Sequence, residues 1–277
     1  MTALDQLSGW PVPHAAAAVL DKDGVLAAAG DLDRSFELAS VTKPLAALAS
    51  LVAVEEGAIE LDAAPSGHPI ADVLPGATLR HLLAHASGMG PQRRQRAAAP
   101  GTRRIYSNAG YEVIGELVSA ATEMPFADYL AAAVFAPLGM TGASLAGSPA
   151  RAGRAGVNDL AAFVGALLQG SPLLHESSWA AARTVQFPGL RGVLPGYGAQ
   201  AHNDWALGCE IRDDKSPHWT STRNSPATFG HFGQSGTMFW VDPVAEIALI
   251  ALADRDFDEW AIKAWPALAD AVLDEFA

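Results

Sequence analysis

The sequence predicts an α+β fold: one antiparallel sheet built from both chain ends, flanked by helices, with a helical lobe inserted between its halves. Three observations carry this. Short strand-like runs separated by turn residues fill 12–38, and alanine-rich helical patterning runs from 40 to 180. Strand patterning then returns over 195–253, followed by one helical pattern at 258–275. We expect a single catalytic domain over 1–277, its sheet lobe at about 10–39 and 190–277 and its helical lobe at about 40–189, with a cleft between them.

Each element has its own signal. Ala15–Leu20, Val25–Ala29 and Arg34–Leu38 are strands, the first two joined by the Asp21-Lys22-Asp23-Gly24 turn. Helices are expected at 42–56 (closed by Gly57), 78–85, 109–122, 126–134, 158–168 and 176–186. Pro125 suits the start of the fourth, where a missing N–H costs nothing, and Asn158 is placed to cap the fifth. Strands are expected at 204–212, 236–242 and 245–253, the last two joined across Asp242-Pro243.

Composition excludes several classes of function. The 277 residues carry 18 basic and 30 acidic side chains, a net charge of −12 that repels phosphate backbones and anionic lipid, so neither nucleic acid nor membrane is an expected partner. Cys209 is the only cysteine, which forbids an intramolecular disulfide and any cysteine-based zinc site. Met1–Trp10 lacks a basic leader region and the apolar run after it is short, so the expected location is cytoplasmic. His81 and His85 are spaced i, i+4 without the Glu of a His-Glu-x-x-His motif, and read as core or capping residues; neither metal nor cofactor is expected. The arginines from Arg93 to Arg104 read as a solvated loop or as an anion-attracting rim.

The chemistry begins at Ser40-Val41-Thr42-Lys43. A serine at a helix start and a lysine three residues on share a helix face. A serine hydroxyl needs a base, and a lysine pressed against an apolar helix loses its preference for the charged form. The alternative is a helix cap beside a solvated lysine. Tyr106-Ser107-Asn108 precedes another helix: Tyr106 suits a proton shuttle, its phenolate favoured by a neighbouring cation, and Asn108 suits a contact to substrate and lysine. The alternative is a core tyrosine and an N-cap. Gly230-His231-Phe232-Gly233-Gln234-Ser235-Gly236 opens the strand Thr237–Val241, and its glycines permit a close approach by ligand backbone or an acyl group. Alone, it also reads as a glycine-rich turn.

In this order the three motifs resemble the serine β-lactamase and penicillin-binding protein superfamily. The Tyr-x-Asn and His-x-Gly versions are similar to the branch holding class C β-lactamases, D-amino-acid-releasing peptidases and family VIII-type esterases. The stretches Leu79–Met89 and Tyr111–Met140 resemble that branch too. The resemblance implies the β-lactamase/transpeptidase-like fold and a serine hydrolase working through an acyl-enzyme. It implies Ser40 as nucleophile, Lys43 and Tyr106 as proton carriers, and Asn108, His231, Gly233 and Gln234 as substrate-binding residues. The N–H groups of Ser40 and Gln234 would form the oxyanion hole. His231 stands where many relatives have lysine, and a neutral histidine holds a carboxylate less firmly, which tilts the expectation toward a carboxylesterase on small or medium acyl esters. The alternatives are a β-lactamase or a D-alanyl-D-alanine carboxypeptidase-like enzyme, and a catalytically silent ligand-binding domain. The partner expected is a small-molecule ester or amide. The chain is short for this superfamily, and its Thr141–Val157 segment is brief.

Overall fold

The alanine run Ala15–Asp21 forms strand β1 and turns into β2, Gly24–Ala29. The turn is made by Asp21, whose carboxylate accepts the N–H groups of Asp23 and Gly24. The computed structural model describes residues 2–170 and 173–277. After a short β3 (Phe36–Glu37), a 3-10 turn at Ala39–Val41 feeds helix α1, Thr42–Glu55. The helical lobe continues through α2 (Ile70–Val73), α3 (Leu79–Leu83), α4 (Asn108–Thr122) and α5 (Phe126–Leu130). A π-helical turn, Ala131–Phe135, joins α5 to α6 (Ala136–Leu138). Strands β4 (Ser144–Leu145) and β5 (Gly153–Ala155) precede α7 (Val157–Gln169) and α8 (Glu176–Arg183). A small hairpin, β6 (Gly192–Leu194) and β7 (Gly198–Gln200), leads back to β8 (Glu210–Ile211). The chain closes with β9 (Phe229–Gly233), β10 (Thr237–Asp242), β11 (Ile247–Ala253) and helix α9 (Glu259–Phe276).

The main sheet runs β2-β1-β11-β10-β9-β8, antiparallel throughout, so the two chain ends do build one sheet. Both of its faces are covered. The two-residue period of a strand sends Ala16, Ala18, Phe239, Ile250 and Leu252 into a core with the helical lobe, and Val19, Met238, Trp240, Leu249 and Ala251 into a second core under α9 and the N-terminal 3-10 turn Ala3–Gly9. This is why β11 reads as an unbroken apolar run, with all seven residues buried. Alanines on β1 permit close packing of α7 against the sheet.

Several boundaries differ from expectation. Phe36–Glu37 leaves the main sheet to pair with β5, which also pairs with β4. Helix α7 starts at Val157 with Gly156 as its cap, where Asp159 accepts the Gly156 N–H; Asn158 instead reaches Asp33 at 2.7 Å. Of the predicted strand 204–212, only Glu210–Ile211 forms a ladder, with Trp205 making isolated bridges. Residues 229–233 form a strand of their own, so the glycine-rich motif is β9 plus its turn, not the opening of β10. No helix among the described residues is long and apolar enough to cross a membrane.

Ile250 is fully buried at mid-sheet between Ala18 and Phe239. Its small neighbour Ala18 cannot fill a void, so Ile250→Ala is expected to cost about 2–5 kcal/mol of stability, read as a lower midpoint in urea unfolding.

Candidate active site

Helix α1 is buried nearly all round, as Thr42–Leu51 are all enclosed. Lys43 therefore has no route to water. Its ammonium nitrogen lies 3.1 Å from the Ser40 hydroxyl and 2.8 Å from the Ala150 carbonyl, and it stands 4.7 Å from the centre of the Tyr106 ring. Burial pushes the Lys43 pKa well below the ordinary lysine value; the nearby Arg151 charge pushes the same way, and Glu112 opposes weakly. Lys43 is thus held against a serine hydroxyl with its charged form disfavoured.

Ser40 occupies the 3-10 turn ahead of α1, where the first N–H groups lack intrahelical partners. The residue before it, Ala39, holds φ at +43°, a conformation costly for a residue with a Cβ. Thr42 braces the turn: its hydroxyl donates to the Ala39 carbonyl at 2.7 Å and accepts the Gly153 N–H at 2.9 Å. Strand β9 packs directly on this turn. A Cβ on Gly233 would sit 2.3 Å from the Leu38 carbonyl oxygen, so only glycine lets the two backbones meet. Gln234 follows at once, pinned by its side-chain amide and its carbonyl, which both bond Phe257.

A cleft of about 380 Å³ opens over these groups. Ser40, Tyr106, Asn108, His231 and Gln234 all line it, Lys43 lies beneath, and Gly233 contributes backbone clearance. The structure thus brings the predicted residues together, but two contacts differ from expectation. Asn108 does not reach Lys43: its amide N–H donates to Gln92 at 3.3 Å, while its Oδ1 is buried without a partner. Its helix is capped by Ser107, whose hydroxyl accepts the Gly110 N–H. Nor is Tyr106 a phenolate. Burial drives its pKa up, outweighing the hydrogen bond to Ser40, so the phenol keeps its proton.

His231 is neutral. Burial, helped by Lys43, drives its pKa down to about 3. Its Nδ1–H donates to the Phe232 carbonyl at 2.7 Å, leaving Nε2 a bare lone pair in the interior. His85 packs below, 4.5 Å from the Tyr106 ring, and accepts the Ser107 N–H on Nδ1. His81 is the capping partner of Thr78 and stacks on Phe187.

Two cleft residues were not singled out from the sequence. Glu210 on β8 is buried, with Lys215 at 3.1 Å, His218 at 3.0 Å and Trp219 Nε1 at 2.6 Å. Burial alone would raise its pKa, but the Lys215 charge and the bonds from His218 and Trp219 hold it down to about 2. Its three partners lie five, eight and nine residues ahead, a spacing with no motif value. Arg151 follows the Ala150 that holds Lys43, in a loop with no sequence pattern. The arginine-rich segment divides: Arg94 pairs with Glu116, whereas Arg104 is buried and donates to the carbonyls of Ala84, Gln186, Phe187 and Asn203.

Comparison with known proteins agrees with this geometry. A family model described as Beta-lactamase matches residues 8–273. A crystal structure titled as a β-lactamase (Mb2281c) from Mycobacterium bovis is 54% identical, covers 99% of both chains and superposes with a TM-score of 0.94. Esterase EstB of Burkholderia gladioli is 36% identical over 148 residues, and Penicillin-binding protein 4* of Bacillus subtilis is 28% identical over 135. Those matches take in 39% and 38% of this chain and only 38% and 29% of the relatives' own lengths.

The Glu210 network yields a stability test. Its folded pKa lies below the ordinary 4.5, so its stabilisation is complete above that value and lost as pH falls toward 2. Glu210→Gln strands Lys215 in the interior and is expected to cost about 3–5 kcal/mol at pH 7. Urea titrations from pH 7 down to 2 should show the gap to wild type closing in that acid window.

Proposed function

Because the chain belongs to the beta-lactamase family of serine hydrolases, we propose that it hydrolyses small or medium acyl esters through an acyl-enzyme on Ser40. One observation carries the reading: a buried lysine whose charged form is disfavoured, 3.1 Å from a serine hydroxyl at the floor of a cleft. Lys43 takes the Ser40 proton as the serine oxygen bonds the substrate carbonyl carbon. The N–H groups of Ser40 and Gln234 receive the developing oxyanion. As the tetrahedral centre collapses, the bond to the leaving oxygen breaks and that oxygen takes the proton back from Lys43, with Tyr106 as the relay. Water then adds to the acyl carbon, giving up a proton along the same route, and the bond to Ser40 breaks with return of its proton.

The preference for esters rests on His231. His231 is uncharged and its Nε2 is buried, so strand β9 offers no cation to a substrate acid. The 54%-identical β-lactamase favours a second reading, turnover of β-lactams. A silent binding domain would have no use for a dehydrated amine aimed at a serine.

Three measurements test this. Hydrolysis of p-nitrophenyl butyrate should fall at least about 10³-fold in Ser40→Ala and in Lys43→Arg, the second because a guanidinium cannot accept the proton. Nitrocefin turned over faster than the ester would establish the β-lactamase reading in its place; equal rates in wild type and Ser40→Ala on both substrates would sink both. The pH profile has a definite sign. The reactive amine form is lost as pH falls through the lowered Lys43 pKa, so kcat/KM should climb from acid to a plateau reached well below pH 10.5.

A further inference from the structure

Arg151 is the one lysine or arginine among the residues lining the cleft. It stands on the wall supplied by the helical lobe, in the loop between β4 and β5, and is exposed at the opening. In this acidic chain many arginines are tied to a carboxylate, as Arg80 is to Asp62, Arg94 to Glu116, Arg154 to Glu37 and Arg223 to Asp274. Arg151 has no such partner among the described residues. The one carboxylate in the lining, Glu210, is already taken by Lys215, His218 and Trp219.

The loop that carries Arg151 is held. Ser148 accepts the Ala150 N–H on its hydroxyl at 3.1 Å and the Arg151 N–H on its carbonyl at 3.1 Å, while its own hydroxyl donates to Glu112 on α4. The Ala150 carbonyl is fixed in turn by Lys43. The backbone of Arg151 is therefore held next to the residue whose carbonyl meets Lys43. On the same cleft, Asn108 Oδ1 is buried without a partner beside Gln92. Leu194, Pro195 and Phe232 make part of the lining apolar.

We propose that Arg151 is a specificity-determining residue that receives a carboxylate on the substrate, so that the preferred ester or amide is an anionic one. The inference rests on the hydrolase reading above and adds the charge of its substrate. A guanidinium binds a carboxylate by two parallel charge-assisted hydrogen bonds, and His231 offers no competing site.

The test compares p-nitrophenyl hexanoate with the half-ester mono-p-nitrophenyl adipate, which has the same chain length and a free carboxylate. Rates are corrected by the Ser40→Ala background, and only the ratio of kcat/KM values is read, because Arg151 also bears on Lys43. Wild type should favour the anionic ester. The ratio should fall about tenfold or more in Arg151→Gln, mainly through KM, recover in part in Arg151→Lys, and fall furthest in Arg151→Glu. Hexanoate turnover with the same ratio in wild type and Arg151→Gln overturns the anion inference and leaves the hydrolase reading standing. Turnover of neither ester above the Ser40→Ala background overturns both.

Discussion

The dehydration of Lys43 is the constraint around which the molecule is arranged. A lysine normally reaches water along its flexible stem. Here α1 is packed by α4, α5 and the π-helical turn, the 3-10 turn before it meets β9 and β10, and among the described residues the amine meets a hydroxyl, a carbonyl and two tyrosine rings. No carboxylate among the described residues pairs with it. Burial disfavours a charged ammonium in that setting and shifts the balance toward the free amine. The apolar packing of α1 thereby supplies a base strong enough to matter and free enough to act. Tyr106 and His231, buried in the same pocket, are made neutral by the same physics, so the floor of the cleft holds proton carriers without fixed charge.

Fixed charge is placed at the margins instead. Glu210 stands one strand away from the nucleophile turn, yet its carboxylate is compensated by its own cation and two N–H donors. An uncompensated anion there would favour the protonated form of Lys43. The network leaves the amine undisturbed while it ties the short strand β8 to the segment that follows it. The close contact between β9 and the turn at Leu38–Ala39 completes the arrangement, since Gly233 sets how near Gln234 comes to Ser40.

Much of this was legible in the sequence, and the boundary is physical. Strands β1, β2, β10 and β11 are apolar runs long enough to declare themselves, and α1, α4 and α7 have apolar faces with helix-start residues near their beginnings. Strands β4 to β8 are two or three residues long, too short for an alternating pattern to mark their bounds. Strand β9 was hidden by its glycines, which read as a turn but serve a close approach. Ser40, Lys43, Tyr106, Asn108 and His231 were legible through short-range spacing and order. The lowered Lys43 pKa was argued from the apolar helix, whereas the phenolate form suggested for Tyr106 was not upheld, because burial depends on the whole fold and raises the phenol's pKa. Glu210 and Arg151 have no local signature, and only tertiary contact reveals them.

The sheet imposes an order of events on the chain. Ala18 on β1 pairs with Ile250 on β11, so the strand that emerges early has its partner almost a full chain length away. Until β11 arrives, β1 presents apolar surface on both faces and an unpaired edge. His14 meets Asp254 and the Ala3 N–H meets Glu275 in the same closing step. Such long-range pairing makes for slow folding. The sheet over which Ser40 is poised is therefore completed last, and a chain interrupted before β11 holds β1 with β2, and β8 to β10, with no strand to join the two sets.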